Sequence, residues 1–258
     1  MGAKSIITLA IGLSASGAVY AGAIVPLVET LPRGDDISSP AVDIGFEVNF
    51  FGTEYSQLYV SNNGNINFGR PNSAWYWVGT NNYYDSYLAP YFSDVYTYSS
   101  GSVTYGRTTF DGYSAFGVSW IDVPGVSALS SHNSFQLLIV DRSDVGAGDF
   151  DFIFNYGQIQ WQDSDYIGSL VGYGAKGQDF GFSTSIYDGG LLTLNPYQLP
   201  YQSLNSDVAG RFVFEVRDGV VSPGLPFISS VPEPETWGMM LAGLGLLSAI
   251  ARRRRARC

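Results

Sequence analysis

The stretch from Asn133 to Trp161 constrains the fold more than any other part of this chain. Its first half contains the short apolar run Phe135 to Val140, and its second half alternates aromatic side chains with other residues from Phe150 to Tyr156. Both patterns are typical of β-strands. The residues between them are rich in Asp, Ser and Gly and have no apolar period, which predicts an antiparallel hairpin with a long acidic tip.

Composition points to the same class of fold. Aromatic residues make up 15% of the 258 residues and glycine occurs 31 times, whereas lysine stands only at positions 4 and 176. Aromatic and glycine-rich chains with few helix formers favour sheets. We expect an all-β protein with a single antiparallel β-sandwich-like domain.

Other segments alternate or form short apolar runs, and Asn63-Gly64 and Asp111-Gly112 predict turns between neighbouring strands. The segment Arg211–Arg217 alternates cleanly and is predicted to be the last strand. His132 is expected in a loop. The remaining predicted strands are 44–50, 58–61, 65–68, 102–105, 115–120 and 171–173.

Both ends of the chain read as targeting segments rather than parts of the domain. Residues 1–21 carry Lys4, an apolar centre and small residues up to Ala21, which predicts a secretory signal peptide cleaved after Ala21. The predicted division is a signal peptide at 1–21, a loop segment at 22–43, the β domain at 44–218, a linker at 219–230 and a sorting segment at 231–258.

The sorting segment contains an apolar run followed by arginines. The hydrophobic helix predicted at 237–251 is shorter than the ~20 residues of a stable membrane span. Basic residues after it favour retention of that end in the cytoplasm, so a transient stop in the membrane is expected, with a permanent short anchor as the alternative. The arginines are Arg252, Arg253, Arg254 and Arg255.

Charge excludes one class of partner. Without the two terminal segments the chain keeps seven basic and 21 acidic residues, a net charge near −14. Such a surface repels phosphate backbones, so nucleic acid is not an expected partner.

Six short motifs follow one another in the order Phe46–Gly52, Tyr59–Gly64, Leu88–Val95, Asn133–Gln136, Phe154–Tyr156 and Ile159–Trp161. In this order they resemble the nidogen-like (NIDO) extracellular domain, over about residues 44 to 218. The resemblance implies an extracellular module associated with cell-matrix adhesion. It also assigns Ala89, Pro90 and Asp94 to a turn, where Asp94 is a cap or a ligand.

The C-terminal segment resembles the PEP-CTERM protein-sorting segment of Gram-negative bacteria. Pro232, Glu233 and Pro234 precede the apolar run and the arginine cluster in the order of that family. The resemblance implies cleavage near this motif by an exosortase, followed by release or surface attachment. Sec export, a secreted or cell-surface location and transient membrane association are therefore expected.

The aromatic segment 71–98 suggests a ligand surface. Trp75, Trp77, Tyr83 and Tyr84 are candidates for stacking on sugar rings, because aromatic faces pack against C–H groups while nearby polar groups bind hydroxyls. The alternative is a tyrosine-rich loop that covers the core.

The hairpin tip suggests a second kind of site. Asp141, Asp144, Asp149 and Asp151 offer oxygen ligands of the type that Ca²⁺ prefers. The spacing lacks the EF-hand pattern and Arg142 can neutralise a carboxylate, so a solvated acidic turn is the alternative. Calcium is the one cofactor that the sequence suggests.

No catalytic constellation is recognisable in the sequence. His132 is the sole histidine and Cys258 the sole cysteine, which gives a nitrogen or sulfur metal site no ligand set. Asp163 and Asp165 could be the paired carboxylates of a hydrolase, but two acids two positions apart show neither the different environments nor the separation that such chemistry needs. We expect a noncatalytic module that contacts extracellular polysaccharide, or a matrix or surface protein; the alternative is a dedicated glycan-binding module.

Overall fold

The structure is a computed structural model that describes residues 26–76, 86–163, 168–175, 177–183 and 195–225. Strands dominate these residues, and one 3₁₀ helix, Pro196–Tyr201, is described among them. In chain order the strands are β1 (Glu29–Thr30), β2 (Val42–Phe50), β3 (Thr53–Val60), β4 (Ile66–Asn67), β5 (Tyr87–Phe92), β6 (Ser102–Phe110), β7 (Tyr113–Gly125), β8 (Ala128–Asp141), β9 (Phe150–Gln158), β10 (Leu170–Ala175), β11 (Gln178–Ser183), β12 (Arg211–Arg217) and β13 (Val220–Ser222).

The strands form two antiparallel sheets, which confirms the predicted sandwich-like all-β fold. One sheet has seven strands in the order β1-β6-β7-β8-β9-β12-β13, and the other has six in the order β11-β10-β5-β4-β3-β2. The predicted hairpin lies at the centre of the larger sheet, where β8 pairs with β9 and Leu137 stands opposite Phe154. Strands buried on both faces need apolar runs, and this explains the pattern at 135–140.

Aromatic side chains fill the space between the sheets. The ring of Phe152 stacks on that of Phe214 with centroids 4.6 Å apart, and Trp120 stacks on Phe135 at 5.1 Å. Trp120 and Val118 are fully buried, as predicted from their alternation. Stacked and edge-on ring pairs add specific geometry to the hydrophobic gain from burial.

Two tyrosine hydroxyls connect the sheets. Tyr156 of β9 donates a hydrogen bond to the carbonyl of Pro90 in β5 at 2.7 Å, and Tyr91 of β5 donates to the carbonyl of Trp161 at 2.9 Å. Burial raises the pKa of both hydroxyls well above the ordinary value, so both remain protonated donors at neutral pH. These bonds satisfy polar atoms that would otherwise be costly inside the core.

The structure corrects four of the predicted elements. Arg211–Arg217 is not the last strand, because β13 follows it and pairs with it at the sheet edge. Strand β13 lies inside the linker predicted at 219–230. His132 is in β8 opposite Pro124 rather than in a loop, and Ala89 and Pro90 lie in β5 rather than in a turn.

No helix among the described residues is long and apolar enough to cross a membrane. The predicted signal peptide with Ala21 and the sorting segment, with Pro232, Glu233, Pro234 and the arginine cluster, lie outside the described residues.

Candidate functional site

The candidate site is built on the turn between β3 and β4. Asn62 and Asn63 of this turn are fully buried. The side chain of Asn62 accepts a hydrogen bond from the Ile37 amide at 2.8 Å and donates to the Val95 carbonyl at 2.7 Å. Asn63 accepts one from the Val95 amide at 2.9 Å. The turn therefore holds two distant segments, one before β2 and one after β5.

Gly64 allows this turn to approach β5. Its φ is +78°, and a Cβ at this position would lie 1.8 Å from the carbonyl oxygen of Tyr91. Only glycine fits, because it has no Cβ and adopts positive φ without strain. The prediction of a hairpin turn at Asn63-Gly64 is confirmed, since β3 pairs with β4 across it.

A second set of hydrogen bonds aligns the two segments. The Thr97 amide donates to the Gly34 carbonyl at 3.0 Å, and the Gly34 amide donates to the Thr97 hydroxyl at 2.9 Å. Residues 34–37 therefore run beside residues 94–97.

Three carboxylates meet where these segments adjoin. Asp35, Asp36 and Asp94 each place an oxygen within 4.8 Å of the others, and all three residues are half-buried. We call these residues the acidic triad. Oxygen ligands at this spacing are of the kind that hard cations such as Ca²⁺ accept.

Hydrogen bonds fix two members of the triad. Asn63 donates to Asp36 Oδ1 at 2.8 Å and to the Ala74 carbonyl at 2.9 Å. The Asp94 amide donates to Asp163 Oδ2 at 2.9 Å. Asp163, considered above as one of two hydrolase carboxylates, thus binds a backbone amide; Asp165 lies outside the described residues.

Asp35, the third member of the triad, lies where its charged form is disfavoured. Asp35 Oδ1 is buried and has no hydrogen-bond partner among the described residues. Partial burial raises the pKa of the Asp35 carboxyl above its ordinary value, and the charge of Asp36 raises it further. Both causes disfavour the charged form.

Two pairs of aromatic residues follow the triad segments and their partners along the chain. Trp75 is 41% exposed and its ring meets that of Tyr76 edge-on at 4.3 Å. Tyr98 is 59% exposed and lies 5.4 Å from the ring of Tyr96. Ala74, which precedes the first pair, shares Asn63 as a partner with Asp36. We call Trp75, Tyr76, Tyr96 and Tyr98 the aromatic rim.

Of the four predicted sugar-binding aromatics, the structure describes Trp75 alone. Trp77, Tyr83 and Tyr84 lie outside the described residues. Tyr96 and Tyr98 belong to the aromatic segment 71–98 but are not among the four predicted residues. Their exposure depends on the path of the chain after β5. The alternation of apolar and polar residues in the sequence does not reveal this path.

The acidic hairpin tip is arranged differently from the predicted calcium site. Asp141 accepts the Ser143 amide at 2.9 Å, and the buried Asp149 accepts the Asp218 amide at 2.9 Å. Each of these carboxylates therefore binds a backbone group.

The other two carboxylates of the tip form ion pairs. Arg142 lies 3.0 Å from both Asp144 and Asp151, and Arg217 lies 2.8 Å from Asp151. The hydrogen bond from Arg142 lowers the pKa of the Asp144 carboxyl. The four predicted ligands do not converge on one point, and calcium binding at the tip stays a prediction. The sequence does not reveal the acidic triad, because Asp94 is far from Asp35 and Asp36 along the chain and the two segments are aligned by tertiary hydrogen bonds of Asn62, Asn63, Gly34 and Thr97.

The sole histidine takes part in local hydrogen bonds. His132 Nε2 lies 3.3 Å from the Ser100 hydroxyl, and its backbone amide donates to Gln160 at 3.0 Å.

Comparison with known proteins adds independent findings. The NIDO-related family model matches residues 15–177, and the PEP-CTERM protein-sorting motif matches residues 230–255. No solved structure matches the chain.

Curated relatives match over a similar region. Alpha-tectorin from Mus musculus and from Homo sapiens are each 29% identical over 234 residues, which cover 74% of this chain. Alpha-tectorin from Gallus gallus is 25% identical over 233 residues, again covering 74%. The chain spans about 10% of the length of these relatives.

The two matches agree with the motifs of the sequence and with the sandwich of strands. A NIDO domain joined to a PEP-CTERM motif indicates an exported or cell-surface protein that is sorted by an exosortase. This chain belongs to the NIDO-related family.

Proposed function

We propose that this protein is a noncatalytic adhesion module of a Gram-negative bacterium, exported through the Sec pathway, that contacts extracellular polysaccharide. The exposed aromatic rim carries the proposal. Trp75 and Tyr98 leave large ring surfaces in solvent beside polar groups. Rings of this kind stack on the C–H faces of sugars while neighbouring oxygens bind hydroxyls.

The surroundings of the rim suit a neutral or weakly charged glycan. Asp94 of the acidic triad belongs to the same chain segment as Tyr96 and Tyr98 of the rim, and the triad offers hydrogen-bond acceptors to sugar hydroxyls. The acidic body repels polyanions, so we expect neutral polysaccharide to be preferred over strongly acidic polymers.

The noncatalytic part of the proposal depends on the environment of the ionisable groups. The sole histidine bonds to a serine, and six of the carboxylates bind amides or arginines: those of Asp36, Asp141, Asp144, Asp149, Asp151 and Asp163. Acid–base catalysis needs a positioned group with a tuned pKa beside a substrate. Turnover of a glycan or peptide substrate by the purified protein would contradict this part.

The test measures retention of the purified full-length chain on the matrix polysaccharide of the producing organism. Trp75→Ala and Tyr98→Ala together should weaken binding at least about tenfold, because each lost stacking contact removes about 1 kcal/mol. Tyr201→Ala is the matched control, since Tyr201 is 65% exposed but lies in the 3₁₀ helix outside the rim. Unchanged retention of the double variant would overturn the proposed surface.

A second arm tests the role of a divalent cation. Retention is measured with EDTA and with added calcium. Loss of binding in EDTA assigns a cation to the contact, and Asp36→Asn and Asp144→Asn then separate the acidic triad from the acidic tip. Retention unaffected by EDTA assigns the contact to the aromatic rings and hydrogen bonds alone.

A further inference from the structure

The outer face of the six-stranded sheet carries two asparagines near its centre. Asn67 of β4 stands opposite Tyr59 of β3 and Tyr87 of β5. Asn65 immediately precedes β4 and shares the face of Asn67, because side chains alternate along an extended chain. Ile66, which lies between them, belongs to the core between the sheets. Both amides therefore stand on the face that is turned away from the other sheet.

These amides are buried without being satisfied. Asn65 is fully buried, and neither its Oδ1 nor its Nδ2 has a hydrogen-bond partner among the described residues. Nδ2 of Asn67 and Nδ2 of Asn72 are also buried and unpaired within the described part of the chain. Buried amides in native proteins are nearly always hydrogen-bonded. Three donor groups and one acceptor in this state indicate that a polar ligand binds here.

The third amide belongs to a segment that covers this face. Residues 71–76 follow β4, and we call them the flap. Ala74 of the flap packs against the apolar cluster that contains Tyr87. The Ala74 amide donates to Asn72 Oδ1 at 2.9 Å, and the Ala74 carbonyl accepts from Asn63 at 2.9 Å. Trp75 of the aromatic rim is the next residue of the flap.

An aromatic ring lies beside the amides. The Tyr87 hydroxyl donates a hydrogen bond to Asp179 Oδ1 at 2.8 Å. A Cβ at Gly174, which stands opposite Tyr87, would lie 2.6 Å from Cε1 of the tyrosine ring. The ring therefore crosses the glycine on its way to Asp179. Such a ring next to unpaired amides suits a sugar residue, whose C–H face stacks while its hydroxyls donate and accept.

Charge selects against other small polar ligands. Asp179 is buried on this face, and Asp36 binds Asn63 two positions before Asn65. These carboxylates disfavour an anion. Amide N–H groups do not coordinate cations, which take oxygen ligands. A neutral ligand with several hydroxyls is the class that remains.

We propose that a neutral sugar residue binds between the flap and the outer face, with its hydroxyls at Asn65, Asn67 and Asn72 and its ring against Tyr87. Because the amides are buried, the flap moves outward for the sugar to enter. The site rests on the proposed function and extends it, since a glycan that stacks on Trp75 contacts the flap itself.

Side-chain amide signals of the ¹⁵N-labelled full-length protein test the site by NMR. Glucose, galactose, mannose and N-acetylglucosamine are titrated separately at millimolar concentration. At least one of them should shift the signals of Asn65 and Asn67, which are assigned by their absence in Asn65→Leu and Asn67→Leu. No shift with any of the four sugars overturns the proposal, as do Overhauser contacts of these amides to water alone.

The Asn65→Leu variant gives a second measurement. Leucine replaces an unpaired amide by an apolar side chain of similar size, so the variant should be at least as stable as the native chain in urea titrations. Its retention on the matrix polysaccharide should fall at least about fivefold. Gln57→Leu, at an exposed amide of β3, is the matched control. A loss of stability, or unchanged retention, in Asn65→Leu overturns the proposal.

The same retention assay separates this site from the aromatic rim. Retention that falls in the Trp75→Ala, Tyr98→Ala double variant and stays intact in Asn65→Leu overturns the amide site and leaves the rim. Retention that falls in Asn65→Leu and stays intact in the double variant overturns the rim and supports the amide site.

Discussion

Asn63 donates from one side-chain nitrogen to the carboxylate of Asp36 at 2.8 Å and to the carbonyl of Ala74 at 2.9 Å. This amide connects the acidic triad to the aromatic rim. Asn63 is fully buried, whereas its partners Asp36 and Ala74 are half-buried.

Replacement of Asn63 should therefore destabilise the domain. Asn63→Ala leaves Asp36, Ala74 and the Val95 amide without this partner, and buried polar groups that lose a partner cost about 1–3 kcal/mol. We expect the free energy of unfolding to fall by about 2–3 kcal/mol in urea titrations followed by circular dichroism. Gln57→Ala, at an exposed position of β3, is the control. Equal stabilities of the two variants would show that the amide does not organise the turn.

The turn should also reject any side chain at position 64. Gly64→Ala places a methyl group against the Tyr91 carbonyl and adds strain at positive φ, and we expect a loss of about 3 kcal/mol or more. Gly112→Ala is the matched control, because Gly112 has a φ of +85° but no heavy atom within 4 Å of its added Cβ. It should lose only about 1–2 kcal/mol from backbone strain. Similar losses would mean that β5 can move away from the turn.

Asp35 should make stability depend on pH. Its pKa is raised in the folded protein, so the folded state holds the proton more tightly than the unfolded state. Stability from this group is present below the unfolded pKa and is lost as pH rises through the folded pKa. Asp35→Asn should therefore raise stability at pH 7.5 by about 0.5 kcal/mol.

Thermal unfolding in EDTA checks this sign. The gain in stability of Asp35→Asn at pH 7.5 should shrink as the pH falls toward the ordinary carboxyl pKa of 3.8. The Asp35 carboxyl of the wild-type protein is then increasingly protonated in both the folded and the unfolded state. Asp207→Asn, at an exposed position, is the control. A loss of stability in Asp35→Asn at neutral pH would show that the charged carboxylate has a favourable partner.

The hairpin tip should respond unequally to loss of its two paired carboxylates. Asp151 has an exposed fraction of 14% and lies between Arg142 and Arg217. Asp144 is 46% exposed and pairs with Arg142 alone. Asp151→Asn should cost about 1–2 kcal/mol, because charge-assisted bonds away from solvent are the stronger ones. Asp144→Asn should give no measurable change in urea titrations, and the reverse order would contradict this interpretation.

The sequence predicts the parts of the fold that depend on local pattern. The strands around Leu137 and Phe154, and the inward direction of Trp120, follow from the alternation of neighbouring residues. His132 was missed because pairing with Pro124 of β7 extends β8 through a polar stretch. Here tertiary pairing overrides local propensity.

The site is less accessible to sequence reasoning because distant segments assemble it. Asp36 and Asp94 meet through the bonds that Asn62 and Asn63 make to both segments and through those between Gly34 and Thr97. The tip shows the converse, since four aspartates that are close in the sequence bind backbone amides or arginines instead of converging on one point. One of these partners, Asp218, is 69 residues away from Asp149.

The position of β13 determines how the domain responds to mechanical load. This strand of three residues lies at the sheet edge and is the last strand among the described residues. Tension from the C-terminal side first breaks the hydrogen bond between the Leu225 amide and the Tyr173 hydroxyl. It then peels β13 from β12, so the hydrogen bonds of this strand rupture one after another instead of sharing the force. In a surface-attached copy under shear, β13 would separate from the sheet and lengthen the connecting segment, while the aromatic core stays folded.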